Sequence, residues 1–444
     1  MLKNKLDSIF KSYDVRGVYG DELTNDIASK IGFAFSEFVK DDEILIGHDG
    51  RLSNMEMLNA VVSGIIANNK KYIYIGLVPT DVVYSLSGLL KKPGVIITAS
   101  HNPKEYSGLK FCKSGAEPIG ENSGLNIIKN RTLEIENLEI LNIDIKKSDV
   151  LSLYFEHLQN LVNVNSISAD LNFGVDGGNG AIGSVFDTLS NLYSFQYESL
   201  YLDVDGNFPN HPADPSDEKN LEDLKNLVLS KKLDFGVAFD GDADRAVFID
   251  DLGRLITGSM MTALIAENLS EVKEDLKVVH NVNVSPHALR YLTEKNIKLF
   301  ECKVGHSNIK ALMRDVDADF GGEHSAHFYY KENFYADSAI LTLLTFMKIL
   351  SEKNLKVSEF IDKYDFPPSS GEVNFKVESV NASLEKIKKE FGNDFDDLDG
   401  LSYQTEEYWF NVRGSNTEPK LRINIEAQSN KILDELTKKI IETI

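Results

Sequence analysis

Three aspartates alternate with small residues in the stretch DGDADR, which follows the apolar run FGVAF. If this segment is extended, Asp240, Asp242 and Asp244 point the same way and can converge on one point. Three carboxylate oxygens suit a hard cation such as Mg²⁺. An EF-hand calcium loop is a poor alternative, because Arg245 and Asp251 stand where it needs Gly and Glu. An acidic surface turn is the other interpretation.

A serine and a histidine stand side by side where the apolar run of VIITASHNP ends. Residues 95–97 predict a buried strand, so the following turn would present Ser100 and His101 to whatever lies beyond it. A hydroxyl in such a place can act as a nucleophile when a neighbouring group activates it. A serine that only caps the turn is the alternative.

A later loop, in FNVRGSNTEPKLRI, could cradle a phosphate. Arginine offers a bidentate fork, and hydroxyl, amide and backbone N–H groups add donors. An ordinary Asx or Ser turn would explain the same residues. The candidate donors are Arg413, Ser415, Asn416 and Thr417.

The stretch GGEHSAHFYY carries polar residues at alternate positions. In an extended segment, Glu323, Ser325 and His327 would line one face and could grip sugar hydroxyls, with His327 placed for proton transfer. A polar strand edge is the alternative. His306 lies upstream in KVGHSNIK.

A glycine run keeps a different class of function open. GNGAIG matches GxGxxG at Gly178, Gly180 and Gly183, and Asp203 follows about twenty residues later, as in a dinucleotide fingerprint. An NAD-dependent oxidoreductase is therefore an alternative function, although a tight strand-to-helix turn also explains the glycines. The sequence contains no GxxxxGK[ST], so a P-loop kinase is unsupported.

The composition of this 444-residue chain limits the classes of binding partner to expect. A net charge of −22 argues against a nucleic-acid partner but allows a small phosphorylated substrate bound by local Arg and Lys. Cys112 and Cys302 lack metal-type spacing, which fits a reducing compartment. We see no secretory apolar core and no apolar run of about 20 residues, so we expect a cytoplasmic protein without a membrane partner.

Strands alternate with helical stretches in three rounds, which favours parallel sheets with crossover connections. After about residue 366 the pattern changes to a linker-like FPPSSGEVNFKVES, two strands and a final helix, typical of a small α+β domain. We predict domains at residues 1–150, 151–252, 253–366 and 367–444.

Taken in order, these stretches resemble the α-D-phosphohexomutase family, within it the bacterial phosphomannomutase/phosphoglucomutase group. KSYDVRGVYGDELT is similar to the family's N-terminal signature, TASHNPKEYSGLK to its phosphoserine loop, DGDADR to its metal loop, GGEHSAH to its sugar-binding loop and RGSNTEP to its phosphate-binding loop. The resemblance implies three similar α/β domains with mixed sheets plus a smaller α+β C-terminal domain, around a central active-site cleft.

The resemblance also implies an isomerase that interconverts hexose 6-phosphate and hexose 1-phosphate, mannose first and glucose also. The reaction would use an active-site phosphoserine and a hexose 1,6-bisphosphate intermediate, with Mg²⁺ as cofactor and the bisphosphate as activator. We expect a monomer, with a dimer as the alternative. The alternatives in activity are a phosphoglucosamine mutase and a non-catalytic sugar-phosphate-binding protein.

Roles for single residues follow from the same resemblance. Ser100 would carry the phosphate and join Asp240, Asp242 and Asp244 around Mg²⁺. Near the reacting centre would lie Tyr13, Arg16, His101 and Lys110, with Arg16 and Lys110 assisting proton transfer, and Arg245 beside the metal loop. The sugar would be held by His306, Glu323, Ser325 and His327, the last a candidate acid/base. The phosphate that does not react would be bound by Arg413, Ser415, Asn416, Thr417 and Arg422.

Four positions depart from the family pattern. Ser107 stands where Asn is usual, His324 where Met or Gln is usual, and Gly414 where Pro is common. Asn283 falls where the best-studied members have an active-site lysine. None of the four is the nucleophile or a metal ligand, so we expect the activity to be retained.

Overall fold

The computed structural model describes residues 2–392, 394–414 and 420–444. The chain divides into two compact units, the first formed by residues 1–257 and 325–360 and the second by residues 258–324 and 361–444. Over the described residues, we find no helix with the length and apolar character to cross a membrane.

The first α/β segment lies in the first unit. Its strands are β1 (Val15–Val18), β2 (Glu43–His48), β3 (Lys71–Leu77), β4 (Gly94–Ile97), β5 (Tyr106–Lys113) and β6 (Glu117–Pro118). Its helices are α1 (Leu2–Ile9), α2 (Asn25–Val39), α3 (Asn54–Ala67), α4 (Thr80–Leu90) and α5 (Leu125–Glu134). Strand β2 runs parallel to β3 and β4, whereas β5 is antiparallel to β4 and β1. The uninterrupted apolar run of β4 fits its burial on both faces.

The second α/β segment repeats this plan in the same unit. Its strands are β7 (Asn172–Asp176), β8 (Gln196–Leu200), β9 (Phe235–Phe239), β10 (Ala246–Asp250) and β11 (Leu255–Ile256), and its helices are α6 (Leu151–Leu161), α7 (Gly183–Tyr193) and α8 (Glu222–Lys231). Strand β7 is parallel to β8 and β9, and β10 is antiparallel to β9 and β11. In both segments, an antiparallel strand therefore follows directly after a parallel one.

The third α/β segment is divided between the units. The second unit contains α9 (Gly258–Val272), β12 (Lys277–Asn281), α10 (Pro286–Glu294), β13 (Lys298–Cys302), α11 (His306–Val316) and β14 (Phe320–Gly322). The first unit contains β15 (Phe328–Tyr330), β16 (Ala336–Asp337) and α12 (Ala339–Lys353), after which the chain forms α13 (Val357–Asp362). Strand β12 is parallel to β13 and β14, and β15 is antiparallel to β16.

The C-terminal segment is smaller and wholly within the second unit. It contains β17 (Ser369–Lys376), α14 (Val380–Phe391), β18 (Leu401–Gln404), β19 (Tyr408–Gly414), β20 (Lys420–Ala427) and α15 (Asn430–Thr443). The strands form an antiparallel sheet in the order β17-β20-β19-β18, with Phe410 and Ile423 in its core. These segments confirm the predicted fold class. The prediction of a linker over FPPSSGEVNFKVES was wrong from Ser369 onward, because that stretch forms β17 against β20.

A buried carboxylate ties the C-terminal sheet to the third segment. Ser285 caps α10, and its hydroxyl donates to Oε2 of Glu426 on β20 at 2.8 Å. Burial raises the pKa of Glu426 to about 7, and the hydrogen bond from Ser285 lowers it only in part. Between the usual pKa of 4.5 and about 7, the folded chain therefore holds a proton that the unfolded chain has lost. The free energy of unfolding falls as the pH rises through this window.

We expect Glu426→Gln to remove this loss, because glutamine accepts the same hydrogen bond without becoming charged. As the pH rises from about 5 to about 7.5, the unfolding temperature of the variant should rise relative to that of the wild type. Thermal melts at several pH values would measure this change. Glu435→Gln on the exposed face of α15 is the control. A difference that does not change with pH would contradict a raised pKa at Glu426.

Candidate active site

In each α/β segment, the loop that contains candidate functional residues occupies the same topological position. The serine loop (98–105) joins β4 to β5, the aspartate loop (240–245) joins β9 to β10, and the histidine loop (323–327) lies between β14 and β15. Each loop holds one non-glycine residue in the left-handed region, namely Ser100 at φ +51°, Ala243 at φ +52° and Ala326 at φ +67°. Such conformations are unfavourable and occur frequently at functional sites.

The three predicted metal ligands do converge, but not for the predicted reason. Residues 240–244 form a turn rather than an extended segment, so the alternation of side chains along a strand does not apply. The turn nevertheless brings one oxygen from each of Asp240, Asp242 and Asp244 within 4.8 Å of the others. All three side chains are buried. The histidine loop is likewise a turn, so the prediction that Glu323, Ser325 and His327 line one strand face was wrong.

Ser100 lies beside this cluster although 140 positions separate it from Asp240. Its hydroxyl donates to Oδ2 of Asp240 at 2.9 Å and lies 3.2 Å from Nδ1 of His101. The side chain is only 3% exposed. The predicted meeting of the Ser100 hydroxyl with the carboxylates is thus present within one unit.

Close backbone packing makes this meeting possible. A Cβ added at Gly241 would lie 2.5 Å from the carbonyl oxygen of Ser100, so a larger residue would force the two loops apart. A Cβ at Gly180 would in turn lie 2.8 Å from the carbonyl oxygen of Gly241. Gly183 packs equally tightly against Leu202. Close packing therefore explains Gly180 and Gly183, and a left-handed backbone conformation at φ +52° explains Gly178.

Two cations partly balance the buried carboxylates. Nζ of Lys110 lies 2.7 Å from Oδ2 of Asp242 and 2.5 Å from Oδ2 of Asp244. Burial by itself lowers the pKa of Lys110, but these carboxylates raise it above its usual value, so the side chain is an ammonium. Arg245 donates from Nε to Oδ2 of Asp240 at 3.1 Å and approaches Asp214 at 3.4 Å.

These cations do not neutralise the cluster fully. Burial, and then the charge of Asp244, raise the pKa of Asp240 to about 7. Oδ1 of Asp242 is buried and has no hydrogen-bond partner among the described residues. A carboxylate oxygen without a partner in a dry site is unfavourable unless a cation completes it. The donor set, three hard oxygens next to a hydroxyl, therefore fits a cation such as Mg²⁺.

Histidines and an arginine surround the same cluster. Nε2 of His327 lies 3.3 Å from Oδ1 of Asp244, and its Nδ1 lies 3.1 Å from the hydroxyl of Ser325. Arg16 on β1 donates to Asn102 of the serine loop at 2.8 Å. Burial by itself lowers the pKa of Arg16, but Asp14 and then Tyr13 nearby raise it above its usual value.

Arg51 is a residue of this site that the sequence analysis missed. It is 3% exposed, and its two terminal guanidinium nitrogens hold the serine loop and the start of β5, whereas Nε pairs with Asp49. Its partners are the carboxylate of Asp49 and the carbonyl oxygens of Ser100, Asn102, Pro103 and Tyr106, at 2.6–3.2 Å. The signal available in the sequence was the polar DGR after strand EILIGH, at the end where parallel strands carry functional loops.

The second unit contains the remaining candidates. Glu323 is 2% exposed and accepts a hydrogen bond from Nδ2 of Asn281 at 2.5 Å. His306 is the first residue of α11 and half-buried. His324, which departs from the family pattern, lies 3.0 Å from the hydroxyl of Ser259.

Two arginines of this unit share one carboxylate. Arg413 on β19 and Arg422 on β20 are partners in register, and their guanidinium groups lie 3.3 and 2.9 Å from the two oxygens of Glu372. The Nε atoms of both arginines are buried without a partner among the described residues. The pair thus keeps donors for an anion. The other predicted phosphate ligands, Ser415, Asn416 and Thr417, lie outside the described residues.

We expect Arg51→Lys to loosen the serine loop, because lysine keeps the charge but cannot reach several carbonyl oxygens at once. Loss of two or more hydrogen bonds should speed amide hydrogen exchange of residues 99–106 by about 10-fold or more. Mass-spectrometric exchange on peptides from this loop would measure it. Arg131→Lys, at a surface ion pair with Glu37, is the control and should leave the loop unchanged. Equal exchange in both variants would contradict the role of Arg51.

Models of one family match the chain from end to end. They are the phosphoglucomutase/phosphomannomutase α/β/α domain I over residues 7–139, domain II over 152–253, domain III over 257–365 and the C-terminal domain over 372–443.

Individual relatives agree with these models. A phosphohexose mutase of Xanthomonas campestris pv. campestris is 34% identical over 432 residues, 96% of each chain. A phosphomannomutase of Methanocaldococcus jannaschii is 33% identical, covering 97% of this chain and 96% of that one. The crystal structure of a phosphoglucomutase/phosphomannomutase family protein from Burkholderia thailandensis superimposes with a TM-score of 0.86 at 28% identity, covering 98% and 96% of the two chains. This chain belongs to the phosphoglucomutase/phosphomannomutase family and is a mutase, an enzyme of the isomerase class.

Proposed function

We propose that this mutase interconverts hexose 6-phosphates and hexose 1-phosphates, with mannose as its main sugar and glucose as a second. The observation that carries the proposal is the hydrogen bond of 2.9 Å between the Ser100 hydroxyl and Asp240. A hydroxyl held next to three buried carboxylates is suited to carry a phosphoryl group only if positive charge is brought to the same place. A phosphoserine whose negative charge is offset by a bound metal ion would meet that requirement.

In the proposed reaction, phosphorylated Ser100 donates its phosphoryl group to the free hydroxyl of the sugar phosphate. The sugar oxygen forms a bond to phosphorus, the bond from phosphorus to Oγ of Ser100 breaks, and the product is a hexose 1,6-bisphosphate. The bisphosphate then turns around, and its other phosphoryl group returns to Oγ of Ser100. The enzyme mainly positions groups and stabilises charge in such a transfer.

The proton of the attacking hydroxyl needs an acceptor, for which His327 is our candidate. Its Nδ1 lies 3.1 Å from Ser325, and its Nε2 faces Asp244. A carboxylate in this place orients the imidazole and favours its protonated form after the transfer. Lys110 and Arg16 carry positive charge, which assists the loss of the proton from the sugar hydroxyl. His101, next to Ser100, and Arg245, with a buried Nη2 that lacks a described partner, complete the binding of the phosphoryl group.

The residues that would hold Mg²⁺ are Asp240, Asp242 and Asp244, with an oxygen of phosphorylated Ser100 as a further ligand. Bound there, Mg²⁺ supplies positive charge that offsets the charge on the transferring phosphoryl group. The orphaned Oδ1 of Asp242 supports this assignment.

The phosphate that does not react would be bound by Arg413 and Arg422, together with Ser415, Asn416 and Thr417. Because the bisphosphate turns around, this end has to accept the phosphate from either position and release it again. The carboxylate shared by the two arginines suits such a site, since Glu372 offsets part of their charge and so limits how tightly a phosphate is held. Glu323, Ser325 and His306 would bind the sugar hydroxyls.

The main alternative is a phosphoglucosamine mutase. That group usually has GEQSGH and RPSGTEP, whereas this chain has GEHSAH and RGSNTEP, which favours mannose and glucose. The end-to-end match to a family of mutases, together with the presence of Ser100 and the three aspartates, argues against a non-catalytic sugar-phosphate-binding protein. We give no weight to an NAD-dependent oxidoreductase, because close packing at Gly180 and Gly183 and the positive φ of Gly178 account for the glycines on which it rested.

We also propose that the enzyme works in the cytoplasm as a monomer. Cys112 and Cys302 form no disulfide, which is consistent with a reducing compartment. Light scattering of the purified enzyme would test the oligomeric state.

A substrate panel tests the proposal directly. The 1-phosphates of mannose, glucose and glucosamine are supplied with Mg²⁺ and a trace of the matching hexose 1,6-bisphosphate, and formation of the 6-phosphates is followed. We expect mannose 1-phosphate and glucose 1-phosphate to turn over, and glucosamine 1-phosphate to react much more slowly. Faster turnover of glucosamine 1-phosphate would establish the alternative mutase instead.

Ser100→Ala should lower turnover at least about 100-fold, because the phosphoryl carrier is lost. Intact-mass analysis of fresh wild-type protein should show one phosphoryl group, absent from the variant. Ser190→Ala in α7 is a suitable control, because that serine is also buried and its hydroxyl donates to the carbonyl oxygen of Asp187, away from the aspartate loop. Normal mutase rates in Ser100→Ala would refute the phosphoserine mechanism.

A further inference from the structure

Thr80, the first residue of α4, makes two hydrogen bonds to one residue of the aspartate loop. Its backbone N–H donates to the carbonyl oxygen of Asp242 at 2.9 Å. Its hydroxyl donates to Oδ2 of the same residue at 2.6 Å. Thr80 is fully buried. A single threonine therefore fixes both the main chain and the side-chain rotation of Asp242 from a position 162 residues away.

The two oxygens of Asp242 are used differently. Oδ2 accepts from the Thr80 hydroxyl and from Nζ of Lys110, at 2.6 and 2.7 Å. Oδ1 is buried and has no partner among the described residues. Rotation of the carboxylate by half a turn would exchange these roles only by breaking and remaking both bonds. Thr80 and Lys110 thus keep Oδ1 as the oxygen that is available to a cation.

Thr80 is itself held in place by its neighbour in sequence. Asp81 is fully buried and accepts hydrogen bonds at Oδ2 from the hydroxyl of Tyr154, at 3.0 Å, and from Ser338, at 2.6 Å. Tyr154 belongs to α6, and Ser338 is the N-cap of α12. The first turn of α4 is therefore attached to two other helices as well as to the aspartate loop, all within the first unit.

We propose that Thr80 is a positioning residue for metal binding: its hydroxyl orients the Asp242 carboxylate so that Oδ1 faces the cation. This inference rests on the proposed metal site of Asp240, Asp242 and Asp244. The backbone N–H of Thr80 can bond the aspartate loop whatever side chain the residue carries. The proposed role therefore belongs to the hydroxyl alone. Substitutions of the side chain alone can therefore test it.

The variants are Thr80→Val, which has the same shape without the hydroxyl, and Thr80→Ser, which keeps the hydroxyl. Mn²⁺ binding to the purified protein, without sugar phosphate, is measured by electron paramagnetic resonance of the free ion. Loss of a group that orients a metal ligand weakens metal affinity by about 10-fold or more, so Thr80→Val should raise the Kd for Mn²⁺ by that factor. Thr80→Ser should stay within about threefold of the wild type.

Thr132→Val is the matched control, because this threonine of α5 is also fully buried and its hydroxyl donates to the carbonyl oxygen of Ile128 in its own helix, away from the aspartate loop. In thermal melts without metal, the two valine variants should have similar unfolding temperatures. Weaker Mn²⁺ binding by Thr80→Val alone is then not the result of a general loss of stability. Equal Mn²⁺ affinity of wild type and Thr80→Val would overturn the role of Thr80 while leaving the metal site intact. No Mn²⁺ binding by the wild type would overturn the metal site and this inference with it.

Discussion

Mutual repulsion among three buried carboxylates is the constraint on which the rest of this site depends. Asp240, Asp242 and Asp244 are buried close together, where like charges interact much more strongly than in water. Lys110 and Arg245 offset part of that charge from two sides. The Ser100 hydroxyl is hydrogen-bonded to the same cluster, so any cation that completes it also acts on a group carried by that oxygen. The electrostatics of the aspartate loop therefore bear directly on the phosphoryl transfer proposed for Ser100.

The repeated α/β plan explains how three loops that are far apart in the sequence hold the candidate functional residues. In each segment, the loop after the last parallel strand ends at the next strand within a few residues, and it turns through one residue with positive φ. For Ser100, Ala243 and Ala326 this conformation is strained by about 1–3 kcal/mol each, and it persists only where neighbouring groups determine the backbone. Arg51 does this for the serine loop, and the fit of Gly241 against the Ser100 carbonyl does it for the contact between loops.

Some of the site was predictable because its residues are local in sequence. Ser100 and the aspartates each follow an apolar strand, and their residue types limit the chemistry. The geometry assumed for them was nevertheless wrong: the carboxylates converge through a turn, whereas the prediction invoked strand alternation. Thr80 and Arg51 were not predicted, because their contacts join residues far apart in the sequence and many of the acceptors are backbone oxygens. Every residue has a backbone oxygen, so residue types do not reveal such contacts. Glu372 was missed for a similar reason, since only strand register brings it to Arg413 and Arg422.

By itself, the sequence determined the class of the fold, the succession of three α/β segments and a smaller C-terminal one, and the candidate residues for the proposed phosphoryl transfer and metal binding. Periodicity of apolar residues and the chemistry of side chains are properties of short stretches, so they can be read without coordinates. Only the tertiary structure decided which oxygen of Asp242 lacks a partner among the described residues, and which residues hold the serine loop. Those outcomes depend on hydrogen bonds between segments 49 to 162 positions apart, and on how closely Gly241 lets two backbones approach.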